Sequence, residues 1–345
     1  MSRELLNTLF VMTPGAYARL DGDTVRVELE GEKLIQVPLI HIGQLVFFGA
    51  TSLTPQLLMR CAEEGKDVIF LDYAGNFKAR VVGPESGNVL LRAAQYKAHC
   101  DSQMALNIAR PIVAGKIKNC RNNLLRALRD SGISAQAKTA LEEAAGVLGE
   151  LLGRTAEVVE INALRGIEGQ AAAIYFEVFD HLIKQENRAF RFHNRSRRPP
   201  RDRVNALISF VYTLLLAECE SALASVGLDT QFGFLHVLRP GRPALALDLL
   251  EEFRPSVGDR FVLALINRGQ IEERHFEERA GGSVLLNEDG RKVVLGAYQK
   301  RKQEEVHHSL LKTKVPLGLV PQLQARLLSR YIRGDTDYYI PYTVK

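Results

Sequence analysis

The stretch His236–Pro255 reads HVLRPGRPALALDLLEEFRP and joins a histidine, a Pro/Gly loop and a helical run with two acidic residues. Asp248 and Glu251 lie three residues apart in that run. Because positions i and i+3 of a helix share a face, we predict that the two carboxylates point the same way. Two carboxylates that repel each other at an apolar surface favour a bound cation, and His236 can add a nitrogen ligand. A mixed oxygen and nitrogen set suits Mg²⁺ or Mn²⁺.

A third acidic residue, Glu168, lies far upstream in a helical pattern with glycines on both sides, Gly166 and Gly169. The missing side chains predict that another group approaches the backbone closely there. Each piece also has an ordinary explanation, as a surface histidine, a solvated acidic face or a helix-packing notch. The metal site that the spacing favours consists of Glu168, His236 and Asp248, with Glu251 either binding the metal or standing directly behind a ligand.

The size and composition of the chain are those of a globular protein with two domains. It has 345 residues, of which 46% are hydrophobic and 25% charged, and its net charge is +5. That charge permits a polyanionic partner without requiring one. The four cysteines are far apart and form no CxxC pair, which argues against a zinc ribbon and favours reduced thiols. We see no signal peptide and no apolar run near the roughly 18 residues that span a bilayer, so we expect a cytoplasmic protein without a membrane partner.

The hydrophobic period changes once along the chain and predicts an α+β protein, with an N-terminal β-rich domain followed by a larger all-α catalytic domain. The first domain, 1–84, is predicted to hold one short helix capped by Thr54 and strands at 9–12, 16–20, 24–29, 34–38, 45–48, 68–71 and 77–82. A Gly/Pro-rich linker is placed at 85–88. The second domain, 89–345, is predicted to hold helices over 88–110, 111–130, 134–151, 155–186, 203–226, 244–253, 256–267, 291–314 and 319–333. A weak hairpin pairs 272–278 with 283–286.

The segment from Arg188 to Arg203 reads RAFRFHNRSRRPPRDR, with Phe190 and Phe192 between the arginines. Arginine forks fit phosphate oxygens and aromatic rings can stack on bases, so we predict a DNA contact here. A solvated loop whose arginines pair with acids is the alternative. The candidate DNA contacts are Arg191, Arg195, Arg197, Arg198, Arg201 and Asn205.

Three polar residues of the helix that follows, Asn205, Ser209 and Tyr212, lie about one turn apart on one face. They either line a substrate cleft or hydrogen-bond other helices. Nearer the C-terminus, His307-His308 lies among basic residues and favours a solvated or DNA-facing surface. The aromatic tail, Arg333–Tyr342, is predicted to dock on a partner or on its own domain.

Taken in order, these segments resemble the CRISPR-associated integrase of the spacer-acquisition step over nearly the whole chain. The matching residues are LRGIEG at 164–169, RPP at 198–200 with Asp202, VNAL at 204–207, GFLH at 233–236 and LALDLLEEFRP at 245–255. The opening MTPGA at 12–16 and the tail through Tyr342 resemble the subtype I-C branch of that family.

The resemblance implies that Glu168, His236 and Asp248 are metal ligands and that Glu251 is a second acid near the metal. It further implies a basic residue beside the site, Arg242, and a tyrosine near the reacting DNA, Tyr212. The family also implies a homodimer joined largely through its β domains. Two such dimers are bridged by the small second CRISPR-associated adaptation protein, and a partner nuclease can trim the captured DNA.

The predicted function is insertion of captured DNA into a CRISPR array. The 3′-hydroxyl of a captured duplex attacks a phosphodiester at the leader–repeat boundary, with a divalent metal stabilising the transition state. One alternative is a non-catalytic helical DNA-binding scaffold whose carboxylates pair with arginines. Another is a metal-dependent phosphodiesterase that acts on small molecules. Sensitivity to EDTA separates the first alternative from an integrase, and the salt dependence of substrate binding separates the second.

Overall fold

The computed structural model describes residues 7–73, 75, 77–81, 89–129, 133–184 and 188–344. The chain divides into two compact units. The first unit comprises Met1–Ser86, Glu288–Glu304 and Pro316–Gly318, and the second comprises Gly87–Asn287, Glu305–Val315 and Leu319–Lys345. The sequence predicts that all of 89–345 forms one domain, whereas in the structure the segment Glu288–Glu304 belongs to the first unit. The linker predicted at 85–88 lies outside the described residues.

The first unit contains two four-stranded sheets. Its strands are β1 (Asn7–Val11), β2 (Tyr17–Asp21), β3 (Thr24–Leu29), β4 (Glu32–Pro38), β5 (Ile42–Phe48), β6 (Ser52–Leu53), β7 (Asp67–Leu71) and β8 (Phe77–Val81). One sheet has the order β1-β5-β7-β8, with β1, β5 and β7 parallel and β8 antiparallel to β7. The other has the order β4-β3-β2-β6. All seven predicted strands are present. The eighth strand, β6, was not predicted, because its two residues are too few to show the alternation of apolar and polar residues.

Two helices complete the first unit, α1 (Pro55–Glu63) and α9 (Glu288–Gln303). Thr54 caps α1 as predicted, because its side chain accepts a hydrogen bond from the Leu57 backbone N–H at 3.2 Å. The long-range partner of α9 is β1, where Gln299 Nε2 donates to the Thr8 carbonyl at 2.6 Å. This contact explains why a helix from the C-terminal third belongs to the N-terminal unit.

The second unit is mainly helical. Its helices are α2 (Val89–Cys100), α3 (Ser102–Ala127), α4 (Ala135–Arg154), α5 (Ile161–Glu177), α6 (Arg203–Ser225), α7 (Ala244–Phe253), α8 (Arg260–Asn267) and α10 (Val320–Ile332). The predicted break at Pro111 is wrong: the helix begins after Asp101, whose side chain accepts hydrogen bonds from the backbone N–H groups of Gln103 and Met104. Pro111 lies inside α3.

The second unit is not all-α, because it contains two pairs of short strands. The predicted hairpin is present as β9 (Phe276–Arg279) antiparallel to β10 (Ser283–Leu286). The predicted helix over 291–314 is wrong beyond Gln303, since β11 (Glu305–His308) pairs with β12 (Thr313–Pro316). Lys312, between these two strands, has a φ of 51°, a left-handed conformation that an α-helix does not accommodate.

Helix α6 is the buried centre of this unit. Among the described residues it alone is long and apolar enough to cross a membrane, with a mean hydropathy of 1.5 in its most apolar window. However, 72% of that window is buried inside the protein, as in a core helix. Asp202 begins α6 by accepting a hydrogen bond from the Asn205 backbone N–H at 2.7 Å.

Candidate active site

Asp248 on α7 holds the turn that precedes the Pro/Gly loop. Its two carboxylate oxygens accept hydrogen bonds from the backbone N–H groups of Phe234 at 2.6 Å, Leu235 at 2.9 Å and His236 at 2.9 Å. The side chain is fully buried. Gly233 is required for this approach, because a Cβ there would lie 2.7 Å from Asp248 Oδ2. The carboxylate therefore fixes where the backbone presents His236.

The imidazole of His236 lies between the two acids of α7. Asp248 Oδ1 lies 2.6 Å from Nδ1, and Glu251 Oε1 lies 3.8 Å from Nε2. In the neutral imidazole, Nδ1 carries the proton, because an ionised carboxylate only accepts, and Nε2 keeps its lone pair for a ligand. Each oxygen of Asp248 already takes part in two hydrogen bonds, which use its lone pairs. In this structure Asp248 therefore positions His236, and the metal-ligand role expected for Asp248 would require some of these bonds to break.

Glu168 on α5 and Glu251 on α7 meet at the ammonium group of Lys116 on α3. Lys116 Nζ contacts Glu168 Oε1 and lies 2.6 Å from Glu251 Oε2. The side chain of Glu251 is 5% exposed and that of Glu168 is 26% exposed, so of the two carboxylates Glu168 is the one that solvent reaches. The two carboxylates, 83 residues apart in sequence, thus share one cation position, and His236 adjoins it.

The charges around this cation position support one another. Burial raises the pKa of Glu251, but the cations of Arg254 and Lys116 outweigh burial and hold that pKa below its usual range. Burial lowers the pKa of Lys116, and the carboxylates of Glu251 and Glu168 more than reverse that effect. Arg254 Nε also donates to Glu251 Oε1 at 3.0 Å. Glu251 is therefore ionised and Lys116 protonated in the folded protein.

The donor set fits a divalent cation of the Mg²⁺ or Mn²⁺ type. Within the described ranges, no three His, Cys, Asp or Glu side chains lie together as a ready metal site. The Lys116 ammonium lies between the two carboxylates. Glu251 Oε2 is buried, and among the described residues it meets no donor besides that ammonium. A buried carboxylate oxygen that meets only a cationic group is the kind of atom that a hard cation ligates.

A cavity of about 570 Å³ opens beside Glu168. One wall is formed by α5 and the other by the loop before α6. Its lining residues are Glu168, Gly169, Ala172, Ala173, Phe176, Glu177, His193, Asn194, Arg195 and Arg197. A Cβ added at Gly166 or Gly169 would meet nothing within 4 Å, so no described part of the protein makes the close approach expected at these glycines. Gly169 instead faces open space that leads to a carboxylate of the site.

Basic side chains surround the mouth of the site. Arg197 and Arg198 are exposed and make no hydrogen bond or ion pair with any described residue. Among the described residues, the Arg242 side chain donates one hydrogen bond, a weak one to the Val237 carbonyl at 3.4 Å. Partial burial lowers the pKa of Arg242, and repulsion from three other arginines lowers it further. These are, in order of effect, Arg239, Arg198 and Arg165. Guanidinium groups that repel one another in this way favour an anion between them.

Three of the predicted DNA contacts are already engaged within the protein. Arg191 pairs with Asp180 at 3.1 Å, and Arg201 donates to the Gly281 carbonyl at 3.0 Å. Arg195 donates to Asn205 Oδ1 at 2.7 Å. Of the predicted arginines, only Arg197 and Arg198 present unengaged guanidinium groups.

The prediction that Asn205 contacts DNA is wrong for this structure, because its side chain is fully buried and donates to the Asn194 carbonyl at 2.8 Å. Phe190 and Phe192 are also buried, where they pack on other phenylalanines rather than offering faces to bases. These residues shape the arginine loop from inside.

Tyr212 supports the site instead of facing DNA. It is buried, and its hydroxyl donates to Asp259 at 2.6 Å. The guanidinium of Arg254 lies 4.5 Å from the centre of its ring. Arg254 and Asp259 both belong to the π-helical segment Arg254–Asp259, which joins α7 to α8 where the sequence predicted a break. Tyr212 thereby steadies the arginine that neutralises Glu251.

Sequence reasoning missed Lys116 and Arg254, although one signal was present for Lys116. It occupies an apolar stripe of α3 with Ile112, Val113 and Cys120, all buried. A lysine at such a position requires an acidic partner. No comparable pattern identified Arg254, whose place depends on the π-helical turn.

The C-terminal tail docks on its own unit. Tyr339 donates its hydroxyl to Glu252 Oε1 at 2.6 Å, and the Tyr342 backbone N–H donates to Glu252 Oε2 at 2.7 Å. His308 is buried and contacts Gln324 at 3.1 Å, so the expected solvated surface is wrong for that histidine. Glu252, adjacent to Glu251, therefore ties the chain terminus to the helix that carries the site.

Comparisons with curated proteins give full-length matches. The family described as CRISPR associated protein Cas1 matches residues 9–300. A protein of Moorella thermoacetica named CRISPR-associated endonuclease Cas1 1 is 53% identical over 338 residues, covering 98% of each chain. A CRISPR-associated endonuclease Cas1 2 of Rhodospirillum rubrum is 48% identical over 346 residues, covering 99% of each. A Cas4/Cas1 fusion of Geobacter sulfurreducens is 38% identical over 334 residues, which are 96% of this chain and 59% of the fusion.

Solved structures show the same fold at lower identity. A Cas1 protein from Thermotoga maritima superposes with a TM-score of 0.80 at 24% identity, covering 97% of this chain and 99% of that one. A chain of a Cas6-RT-Cas1–Cas2 complex gives 0.82 at 22% identity, covering 99% of this chain and 36% of that one. With the family match over most of the sequence and relatives near 50% identity along its whole length, this chain belongs to the CRISPR-associated Cas1 family.

Proposed function

We propose that this protein inserts captured DNA fragments into a CRISPR array by transesterification where Glu168, His236 and Glu251 meet. Endonuclease and integrase activity comes with its membership of the Cas1 family. One observation carries the assignment of residues: two carboxylates from different helices share a cation position next to a histidine nitrogen. That position lies beside a cavity lined by arginines.

The cofactor we assign is Mg²⁺ or Mn²⁺, held by Glu168, Glu251 and His236 Nε2. When bound, such a cation polarises the scissile phosphodiester and offsets the negative charge of the transition state. The chain prepares the ligands for it. Asp248 keeps the proton of His236 on Nδ1, and Arg254 keeps Glu251 ionised.

The DNA path we assign follows the basic residues. Arg197 and Arg198 bind backbone phosphates on one side of the cavity, and Arg242 with Arg239 binds them on the other. The cavity has the volume of a small-ligand pocket and leads to Glu168, so a single DNA end fits there. Because these contacts are ionic and exposed, binding weakens steeply with salt.

A non-catalytic DNA-binding scaffold is the second candidate. The observation in its favour is that Glu168 and Glu251 already have a cationic partner in Lys116. In that case EDTA leaves every DNA transaction unchanged. A phosphodiesterase for small molecules is less favoured, since it gives no role to the exposed arginines.

The partners we assign are duplex DNA, as captured fragment and as CRISPR repeat, and the small second CRISPR-associated adaptation protein. The Cas1–Cas2 complex among the structural neighbours supports the latter. We further assign a homodimer, a trimming nuclease of the kind fused to Cas1 in the Geobacter relative, and a cytoplasmic location. We also assign the chain to the subtype I-C branch, and its opening motif at 12–16 and its tail through Tyr342 support this assignment.

The test is a strand-transfer assay with purified protein, the second adaptation protein, Mn²⁺ and a repeat-containing plasmid. Glu168→Ala, His236→Ala and Glu251→Ala should each abolish joining while the protein stays folded. Glu157→Ala is the matched control, because this glutamate is exposed and precedes the same helix as Glu168. Full joining by His236→Ala in Mn²⁺, or full joining by the wild type in EDTA, rules out the assignment.

A further inference from the structure

Lys116 is the residue of the site whose role the reaction does not explain. It lies in the middle of α3, and its side chain is only 9% exposed. Its ammonium contacts one oxygen from each of two carboxylates, Glu168 and Glu251. A divalent cation ligated by the same two oxygens needs the space that this nitrogen fills.

The charge balance of the site leads to the same conclusion. Two carboxylates, Glu168 and Glu251, face two cations, Lys116 and Arg254. The carboxylate of Asp248, which backbone N–H groups and His236 engage, adds a third negative charge next to His236. A divalent cation added while Lys116 and Arg254 both stay leaves one excess positive charge in a largely buried site, which is unfavourable at short range.

The contact between Lys116 and Glu251 is of a kind that can be exchanged. Glu251 Oε2 lies 2.6 Å from the ammonium, and no other described group donates to that oxygen. A divalent cation at this oxygen therefore has to displace only the ammonium. A lysine side chain has four rotatable bonds, so its nitrogen can leave while its stem stays packed in the apolar stripe of α3.

We propose that the Lys116 ammonium and the divalent cation compete for one position, so that metal binding is an exchange of cations and Lys116 sets the metal affinity. This inference rests on the proposed metal site. With divalent cation removed, the ammonium keeps the two carboxylates neutralised and the three helices together. With the cation bound, the ammonium moves away from Glu168 and Glu251. Lys116 is thus a positioning residue that tunes the metal centre.

The test compares wild type with Lys116→Met, which keeps the apolar stem and removes the charge. Lys118→Met is the matched control, since Lys118 is exposed on the same helix. Mn²⁺ binding is measured by calorimetry and melting temperature is measured in EDTA and in excess Mn²⁺. Lys116→Met should melt below wild type in EDTA, bind Mn²⁺ about tenfold more tightly and gain more in melting temperature from Mn²⁺. Lys118→Met should match wild type in all three measurements.

The affinity change separates exchange from a purely structural role. A lysine that only braces the helices gives a variant that binds Mn²⁺ as well as wild type or less well, and that result overturns the inference. If Lys116→Met does not fold in EDTA, the proposal requires Mn²⁺ to restore its folding, and failure to do so equally overturns it. Absence of Mn²⁺ binding by wild type counts against the proposed metal site itself, so the two failures are distinguishable.

Discussion

Replacing Asp248 by asparagine separates two roles for this carboxylate. If Asp248 is a metal ligand, Asp248→Asn removes a buried charge and leaves stability in EDTA unchanged or raised. If it holds the turn, the variant is destabilised without any metal. In the structure its oxygens accept three backbone N–H groups and take part in a fourth bond to His236. An amide offers one accepting oxygen where the carboxylate offers two.

The expected loss can be worked out from these bonds. One orientation of the new amide turns its NH₂ group towards the N–H groups of Phe234 and Leu235 and leaves both unpaired. Each buried donor left without a partner costs about 1–3 kcal/mol, so these two cost roughly 4 kcal/mol. The other orientation turns the NH₂ group towards His236 and leaves only the His236 backbone N–H unpaired, which costs about 2 kcal/mol. That orientation also moves the imidazole proton to Nε2, which removes the lone pair for a metal.

The assay is chemical denaturation in EDTA, monitored by circular dichroism, together with Mn²⁺ calorimetry. Asp248→Asn should lose about 2–4 kcal/mol in the free energy of unfolding and also bind Mn²⁺ more weakly. Asp337→Asn is the control, because Asp337 is exposed in the same unit and its side chain makes no hydrogen bond or ion pair with any described residue. A free energy of unfolding in EDTA within about 1 kcal/mol of wild type would refute the structural role of Asp248.

Three further predictions follow from other contacts. Gly233→Ala should lose about 3 kcal/mol of stability, because its Cβ would lie 2.7 Å from the backbone carbon of Ala244. The Cβ of Gly166→Ala meets nothing within 4 Å, so this variant should gain about 0.5–1 kcal/mol of stability. Thermal unfolding measures both changes. Arg197→Ala with Arg198→Ala should reduce the slope of log K against log salt for duplex binding by about 2, as measured by fluorescence anisotropy. Burial raises the pKa of Asp259 from 3.8 to about 6, so its protonated form stabilises the fold below pH 4 and that stabilisation disappears as the pH rises through 6; relative to Asp259→Asn, wild type should lose about 3 kcal/mol over this range in denaturation experiments.

The outcomes that contradict these predictions differ in kind. Equal stability of the two glycine variants would mean that the turn at Gly233 relaxes freely. Asn205→Ala is the control for the arginine pair: it should lower the melting temperature and leave the salt slope unchanged, because Asn205 is buried. An unchanged slope for the arginine pair places the DNA elsewhere. If wild type and Asp259→Asn show parallel pH profiles, folding leaves the pKa of Asp259 unchanged.

Local signals in the sequence predicted the helices and strands well where a cap or a clear period was present. Thr54 and Asp202 each begin a helix at the predicted residue. The errors occurred where a long-range contact or a turn overrides local pattern. Pro111 marked a break that the cap at Asp101 had already supplied, and Lys312 turns the chain inside a predicted helix. Hydrophobic periodicity shows neither feature, because the cap depends on the side chain of one residue, Asp101, and the turn depends on the backbone conformation of one residue, Lys312.

The site illustrates the same division between what spacing determines and what folding adds. The i, i+3 relation of Asp248 and Glu251 was enough to place both acids beside His236, since helix geometry fixes which residues share a face. It could not rank them, because the difference depends on what each oxygen meets. The turn at Gly233 delivers three N–H groups to Asp248 and uses its lone pairs, whereas no backbone donor reaches Glu251 Oε2. Glu251, whose Oε2 meets only a cationic partner, is therefore the acid that we propose as the metal ligand. The same reasoning explains why Lys116 went unnoticed: its acidic partners lie 52 and 135 residues away, and only the fold makes it their neighbour.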